Sequence, residues 1–270
     1  ISFLLPNDLN KSFFLNSGAE AVEAAIKVCF KSFSKKKKYL LYSNKSYHGK
    51  LIGSGSISGS YKKNNQFPTM ENCIDFNFND DKDLEEKIKN CESSGGVYAV
   101  IIEPFSASLL ESCSEKFLNK LFELKKNYGF KIIFDEVFTG FFKSKEMFYF
   151  QNFNNIKPDV LCLSKTLGGG KSSISCLIVD DITYKNAYGN LNDTFLHTTT
   201  YNGFGEESIT ALEAINILSE ESFKNKVEDL SNLLSNKLKS IEMKHKEKID
   251  KIKGTGILNG IVFKSFSTSL

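Results

Sequence analysis

The sequence predicts an α/β fold, an open sheet covered by helices. Apolar runs of strand length recur at 39–43, 97–103, 131–137, 159–164 and 174–179. Segments with apolar residues every three or four positions alternate with them, the pattern of helices packed on a sheet. Two of the runs also close on a single charged residue, Asp135 after Ile132-Ile133-Phe134 and Lys165 after Leu161-Cys162-Leu163-Ser164. Strand ends are where an open α/β sheet presents its ligand-binding groups.

The elements follow in order. A helix begins at Ser17, with apolar residues at 22, 25, 26, 29, 30 and 33 on one face. The lysine run at 35–38 is expected to cap its end, where cations suit the helix dipole. Tyr39–Ser43 reads as a strand, followed by a polar, Gly- and Ser-rich loop over 47–65. After the strand at 97–103, a helix over 114–128 turns Phe117, Leu121, Phe122 and Leu124 inward. Strands at 131–137, 159–164 and 174–179 come next, then a loop at 197–205 and a helix over 206–219. A long amphipathic helix over 223–252 carries Val227, Leu230, Leu234, Leu238 and Ile241 at helical spacing, its lysines forming a solvated face.

Composition sets the bounds. The 270 residues suffice for a substantial core, and 41% hydrophobic with 25% charged residues is ordinary for a globular protein. A net charge of +3, spread along the chain, gives no nucleic-acid footprint. No apolar run has membrane-spanning length, and no signal-peptide pattern opens the chain. Cysteines 29, 73, 91, 113, 162 and 176 form no CxxC pair, the usage expected of reduced thiols in a cytoplasmic protein. Histidines 48, 197 and 245 are too dispersed in sequence to suggest zinc. The chain starts in mid-pattern at Ile1 and stops just after an apparent strand, so a fragment is expected, with residues 1–220 forming a large domain and 221–270 the start of a second, smaller one. All 35 basic residues are lysine. Any bidentate carboxylate clamp, normally an arginine task, therefore lies outside this segment or does not exist.

Several residues are candidates for chemistry, each beside a plainer reading. Ser17 and Glu20 have capping-box spacing, which alone accounts for both; the amides at Gly18 and Ala19 would also suit a phosphate. Tyr47, in Tyr47-His48-Gly49, is either a packing aromatic or a ring that stacks on a planar ligand. Asp135 needs a partner if buried, either a lysine or a protonated ring nitrogen. Glu136 must point to the opposite face and reads as a scaffold residue. Lys165 either snorkels to solvent or, in an apolar ligand-filled site, becomes a nucleophile towards a carbonyl. Gly168-Gly169-Gly170 after it permits a tight turn around a bulky group. Gly170-Lys171-Ser172 is not a P-loop, because Lys165 occupies the position where that motif needs glycine.

Taken in order, Asn16–Glu23 (16–23), Tyr47-His48-Gly49, Ile102-Glu103-Pro104, the run from Asp135 to Phe141, Lys157-Pro158-Asp159, the run from Ser164 to Gly170, and the stretch 197–203 resemble class III aminotransferases of the ornithine, GABA and acetylornithine type. Each motif is modest alone, but seven in order span nearly the whole chain, and Gly254-Thr255-Gly256-Ile257-Leu258 extends the match. The resemblance implies a fold type I pyridoxal-phosphate-dependent transferase large domain, with a mixed, mostly parallel sheet flanked by helices. It implies that Lys165 is the Schiff-base lysine and moves the substrate proton, that Asp135 partners the pyridine nitrogen, and that Val137 and Tyr47, with its neighbour His48, enclose the ring. Backbone at Ser17, Gly18 and Ala19 would hold the phosphate. Thr200 would reach the neighbouring subunit's phosphate, which implies a homodimer acting on a small-molecule amino donor and carbonyl acceptor in ping-pong fashion.

The departures fall on the substrate side. A glutamine and a gating glutamate that follow Glu-Pro in many members are replaced within Phe105-Ser106-Ala107-Ser108-Leu109-Leu110. Phe138 stands where a glutamine is common, and Gly203-Phe204-Gly205 replaces Gly-Asn-Pro. These changes point to an unusual, less acidic amino donor or to relaxed activity, rather than to the family's usual 2-oxoglutarate or glutamate. Two rivals share the cofactor residues: an aminomutase of the glutamate-1-semialdehyde type, and a truncated non-catalytic scaffold.

Overall fold

Eleven strands and eight α-helices are assigned in the computed structural model, which describes residues 1–34, 36–62, 66–193 and 195–264. Lys35 and the loop end at 63–65 thus lie outside the described residues, as does the C-terminal stretch 265–270. The strands are β1 (Leu9–Leu15), β2 (Tyr39–Ser43), β3 (Cys73–Phe76), β4 (Val97–Ile102), β5 (Phe105–Ser106), β6 (Glu111–Ser112), β7 (Lys131–Asp135), β8 (Val160–Leu163), β9 (Ser175–Asp180), β10 (Ile249–Thr255) and β11 (Leu258–Phe263). The helices are α1 (Gly18–Ser32), α2 (Ile52–Ser56), α3 (Gly59–Lys62), α4 (Asp81–Glu92), α5 (Glu115–Tyr128), α6 (Asp181–Tyr188), α7 (Gly205–Leu218) and α8 (Glu221–Lys244).

Seven strands form one sheet in the order β1-β9-β8-β7-β4-β2-β3. The pairs from β8 to β3 are parallel, whereas β9 runs antiparallel to both β8 and β1. The sheet is therefore mixed and mostly parallel. Its central strands are apolar on both faces because helices cover both. Leu41, Val100, Ile132, Phe134 and Leu161 join one core with α4 and α5. Leu40, Ala99, Ile133, Val160 and Cys162 join the other with α1 and α6. Each fully buried Leu, Ile or Phe contributes about 1.5–3 kcal/mol. Side chains alternate between faces, so Asp135 falls on the α1 side with Ile133 and Glu136 on the other.

Sequence and structure part in several places. The final helix ends at Lys244 rather than near 252, and Ile249–Thr255 pairs with β11 as a separate hairpin. No residue of α8 is buried, so its apolar stripe is only partly covered. The 47–65 loop contains α2 and α3. Of the lysine run, Lys35 lies outside the described residues, and the last-turn cation of α1 among the described residues is Lys31. Lys37 instead donates to Tyr128 O at 2.6 Å, at the end of α5. The motif Lys157-Pro158-Asp159 is structural: Lys157 pairs with Asp8, and Asp159 accepts from Ile132 N at 2.7 Å and Lys125 Nζ at 2.8 Å.

Candidate active site

The C-terminal ends of β7 and β8 and the N-terminus of α1 meet at a cleft of about 370 Å³. Gly18, Ala19, Tyr47, His48, Asp135, Val137 and Lys165 all line it. Strand pairing accounts for the convergence: β7 and β8 are parallel neighbours in register, with Asp135 opposite Cys162, so their ends project together. Lys165 follows β8 after one residue and opens a short 3₁₀ turn in left-handed conformation, φ 49°. Its amine sits 5.1 Å from the centre of the Phe138 ring. Gly169 and Gly170 also have positive φ, as the expected tight turn requires.

Asp135 is 4% exposed, and both its oxygens have partners. His48 Nδ1 lies 2.7 Å from Oδ2, and Val137 N donates to Oδ1 at 3.0 Å. His48 is itself buried, with Nε2 unpartnered among the described residues. The bond from Val137 fixes the valine beside the carboxylate. The helix approaches this valine closely: a Cβ on Gly18 would stand 2.9 Å from Val137 Cγ1.

The capping box is fully formed. Ser17 Oγ accepts from Glu20 N, while Glu20 Oε2 accepts from Asn16 N at 2.8 Å and Ser17 N at 2.9 Å. Ser17 N–H is thereby engaged, and Ser17 is exposed and outside the cleft lining. The first-turn amides of Gly18 and Ala19, which have no partner four residues back within the helix, lie on the cleft wall. Thr200 is exposed on the 197–205 loop and does not line the cleft. That loop touches the site's edge through its neighbour, Asn16 Nδ2 donating to Thr199 Oγ1 at 3.5 Å.

Other cleft residues escaped the sequence reading as site residues. Glu103 ends the apolar run of β4 as Asp135 ends that of β7, the same signal in the sequence. It is 5% exposed, and burial pushes it up to about 7; His48 opposes that rise and Asp135 adds to it. Phe138, Leu51 and Ala107 supply apolar wall. Nearby, Lys143 donates to Gly140 O at 2.9 Å and is lowered to about 8, by burial first and then by the charge of Lys165. Glu136 is held on the opposite face by Thr139 Oγ1, Tyr149 N and Phe150 N, as a scaffold residue should be.

A cleft with a lysine amine, a buried carboxylate and the first-turn amides of a helix, on a mixed α/β sheet, agrees with the expected fold type I arrangement. The class III aminotransferase profile matches residues 1–269, and the chain belongs to that family. Solved structures agree on the fold. The taurine:2-oxoglutarate aminotransferase from Bifidobacterium kashiwanohense, solved with PLP and glutamate, is 21% identical with a TM-score of 0.85, over 97% of this chain and 62% of that one. An (S)-enantioselective omega-transaminase from Thermomicrobium roseum is 23% identical with a TM-score of 0.85, over 94% and 61%. The ornithine aminotransferase from Toxoplasma gondii is 23% identical with a TM-score of 0.83, over 95% and 60%. The chain thus spans less than two thirds of the length of these relatives.

The residues present fit pyridoxal phosphate. The glycine at position 18 leaves room where a Cβ would press on Val137, the α1 amides suit a phosphate, and Lys165 and Asp135 offer an amine and a carboxylate to opposite ends of a pyridine aldehyde.

Proposed function

We propose that this chain forms the cofactor-binding part of a pyridoxal-phosphate-dependent aminotransferase. One observation carries the reading: Lys165 and Asp135, from adjacent parallel strands, line a single cleft with the first turn of α1. Gly18 and Ala19 amides hold the phosphate, where the helix dipole favours negative charge. Val137 and Tyr47 would enclose the ring, and Asp135, oriented by His48 and by Val137 N, would partner its nitrogen. Bound pyridoxal phosphate supplies the electron sink that stabilises negative charge on the substrate carbon. Lys165 Nζ would hold and move the proton of that carbon, as base and then as acid. The Lys165 amine lies over the Phe138 ring while the residue stays exposed at the cleft, open to an incoming carbonyl.

The substrates are an amino donor and a carbonyl acceptor, the donor less acidic than glutamate because the 105–110 stretch and Phe138 lack the glutamine and glutamate common there in the family. Thr200, exposed and outside its own chain's cleft, serves the neighbouring site of a homodimer. Residues 1–220 form the cofactor domain, and 221–270 begin a smaller one, a division supported by the separate β10–β11 hairpin. No described helix is long and apolar enough to cross a membrane. Among the described residues no disulfide joins the six cysteines, in keeping with a cytoplasmic location.

The test is spectroscopic. Wild-type protein purified with pyridoxal phosphate should show the visible absorbance of the lysine-bound cofactor, and Lys165→Ala should show only free cofactor. Adding amino donors should convert the wild type to the pyridoxamine form. A wild type without the bound band sinks the reading.

A further inference from the structure

Glu103 follows a strand whose six residues are all buried, and it joins two segments that no sheet pairing connects. Its Oε2 accepts from Tyr47 N at 2.9 Å and its Oε1 from Ala107 N at 3.2 Å. Tyr47 lies on the stretch after β2, and Ala107 lies in the turn between β5 and β6, which pair only with each other. Both residues line the cleft, and so does Glu103. A longer contact, Ser108 Oγ to Ser60 Oγ at 3.4 Å, adds to the joint farther out.

We propose that Glu103 is a positioning residue that fixes the cleft's shape by holding the Tyr47 and Ala107 amides at once, one on each carboxylate oxygen. The inference rests on the cleft being the cofactor site, since it assigns Tyr47 to the ring side and Ala107 to the substrate side. A carboxylate is suited to this task because both oxygens accept. Glutamine turns one of them into an NH₂ donor facing an N–H, so one amide is left without a partner. The clamp is also poised to change charge near neutrality, since burial raises Glu103 to about 7. The titratable and charged groups around it are Tyr47, His48 and Lys50 after β2, Cys113 after β6, Asp135 at the end of β7, and Lys165 after β8.

Glu103→Gln tests this by amide hydrogen exchange on cofactor-free protein. The protection factor of Tyr47 or Ala107 should fall at least about tenfold, the scale of one lost buried bond, while Ile132 and Ile133 in β7 stay unchanged. With cofactor, its Kd and the donor KM should each rise roughly tenfold, and kcat should change less than about threefold, because ground-state positioning is lost rather than chemistry. Unchanged protection at both amides overturns the clamp, even if activity falls. A wild type that fails to load cofactor defeats the parent reading instead, and the cofactor-free exchange comparison still decides the clamp. Should the variant not fold, exchange of the wild-type amides decides it: protection of both the Tyr47 and Ala107 N–H groups supports the clamp, and free exchange at either overturns it.

Discussion

Replacing Glu136 with glutamine should destabilise the protein at acidic pH, and the deficit should shrink as pH rises. Glu136 is 1% exposed and receives Phe150 N at 2.9 Å on Oε1, with Tyr149 N at 2.6 Å and Thr139 Oγ1 at 3.1 Å on Oε2. Its neutral form also satisfies this pocket, because the Thr139 hydroxyl can reverse and accept the carboxyl proton while both amides keep their acceptors. Glutamine cannot do so: wherever its nitrogen sits it faces Tyr149 N or Phe150 N, at a cost of about 1–3 kcal/mol. The pH dependence adds to this. Burial raises Glu136 from 4.5 to about 7. Between those values the native state binds more protons than the unfolded chain, so wild-type stability falls as pH rises through the window. At about 1.4 kcal/mol per unit the whole window is worth roughly 3 kcal/mol, and glutamine does not titrate. Glu103 titrates alike in both proteins and cancels. Urea denaturation should therefore show Glu136→Gln less stable by about 2 kcal/mol at pH 5, with the gap closing by roughly 2–3 kcal/mol by pH 8. A gap that is constant with pH, or that widens, refutes the assignment.

Two further outcomes follow from contacts near and far from the cleft. Gly18→Ala places a Cβ 2.9 Å from Val137 Cγ1 and 3.1 Å from Cγ2. It should cost about 1–3 kcal/mol in thermal stability and weaken pyridoxal phosphate binding as Val137 is displaced; both quantities unchanged would contradict the close approach. Asp159→Asn turns one of the oxygens that accept from Ile132 N and Lys125 Nζ into a donor. The expected loss is about 1–3 kcal/mol by denaturation, with cofactor affinity unaltered because Asp159 lies outside the cleft.

Asp135 and Lys165 were legible in the sequence because a charge ending an apolar run stands out, and register then brings the two ends together. The limits of β2 were legible for the same reason, both ends being marked by a change in polarity. β1 was not: its burial alternates poorly along Leu9–Leu15, as suits the last strand of a sheet. α4 offered two short signals, the cap residue Asp80, whose carboxylate accepts from the amides of Lys82 and Asp83, and the stripe Leu84, Ile88 and Cys91. The extension of α8 to 252 followed a periodicity that no glycine or proline interrupts after Lys244, whereas pairing with β11 decides the strand. Glu103 carried the same signal as Asp135, but its role depends on two loops that meet only in three dimensions. Lys37 likewise sits next to α1 in sequence and serves α5 in space.

The left-handed backbone at Lys165 has a consequence for how this position resists change. A non-glycine residue there is held at a penalty of about 1 kcal/mol, which glycine would not carry. Selection for folding alone would thus favour replacing the lysine, and screens for thermostability would tend to enrich glycine at 165. A lysine kept against that gradient is a residue retained for its amine, and its frequency in a stability-selected library measures how far activity, rather than folding, holds it in place.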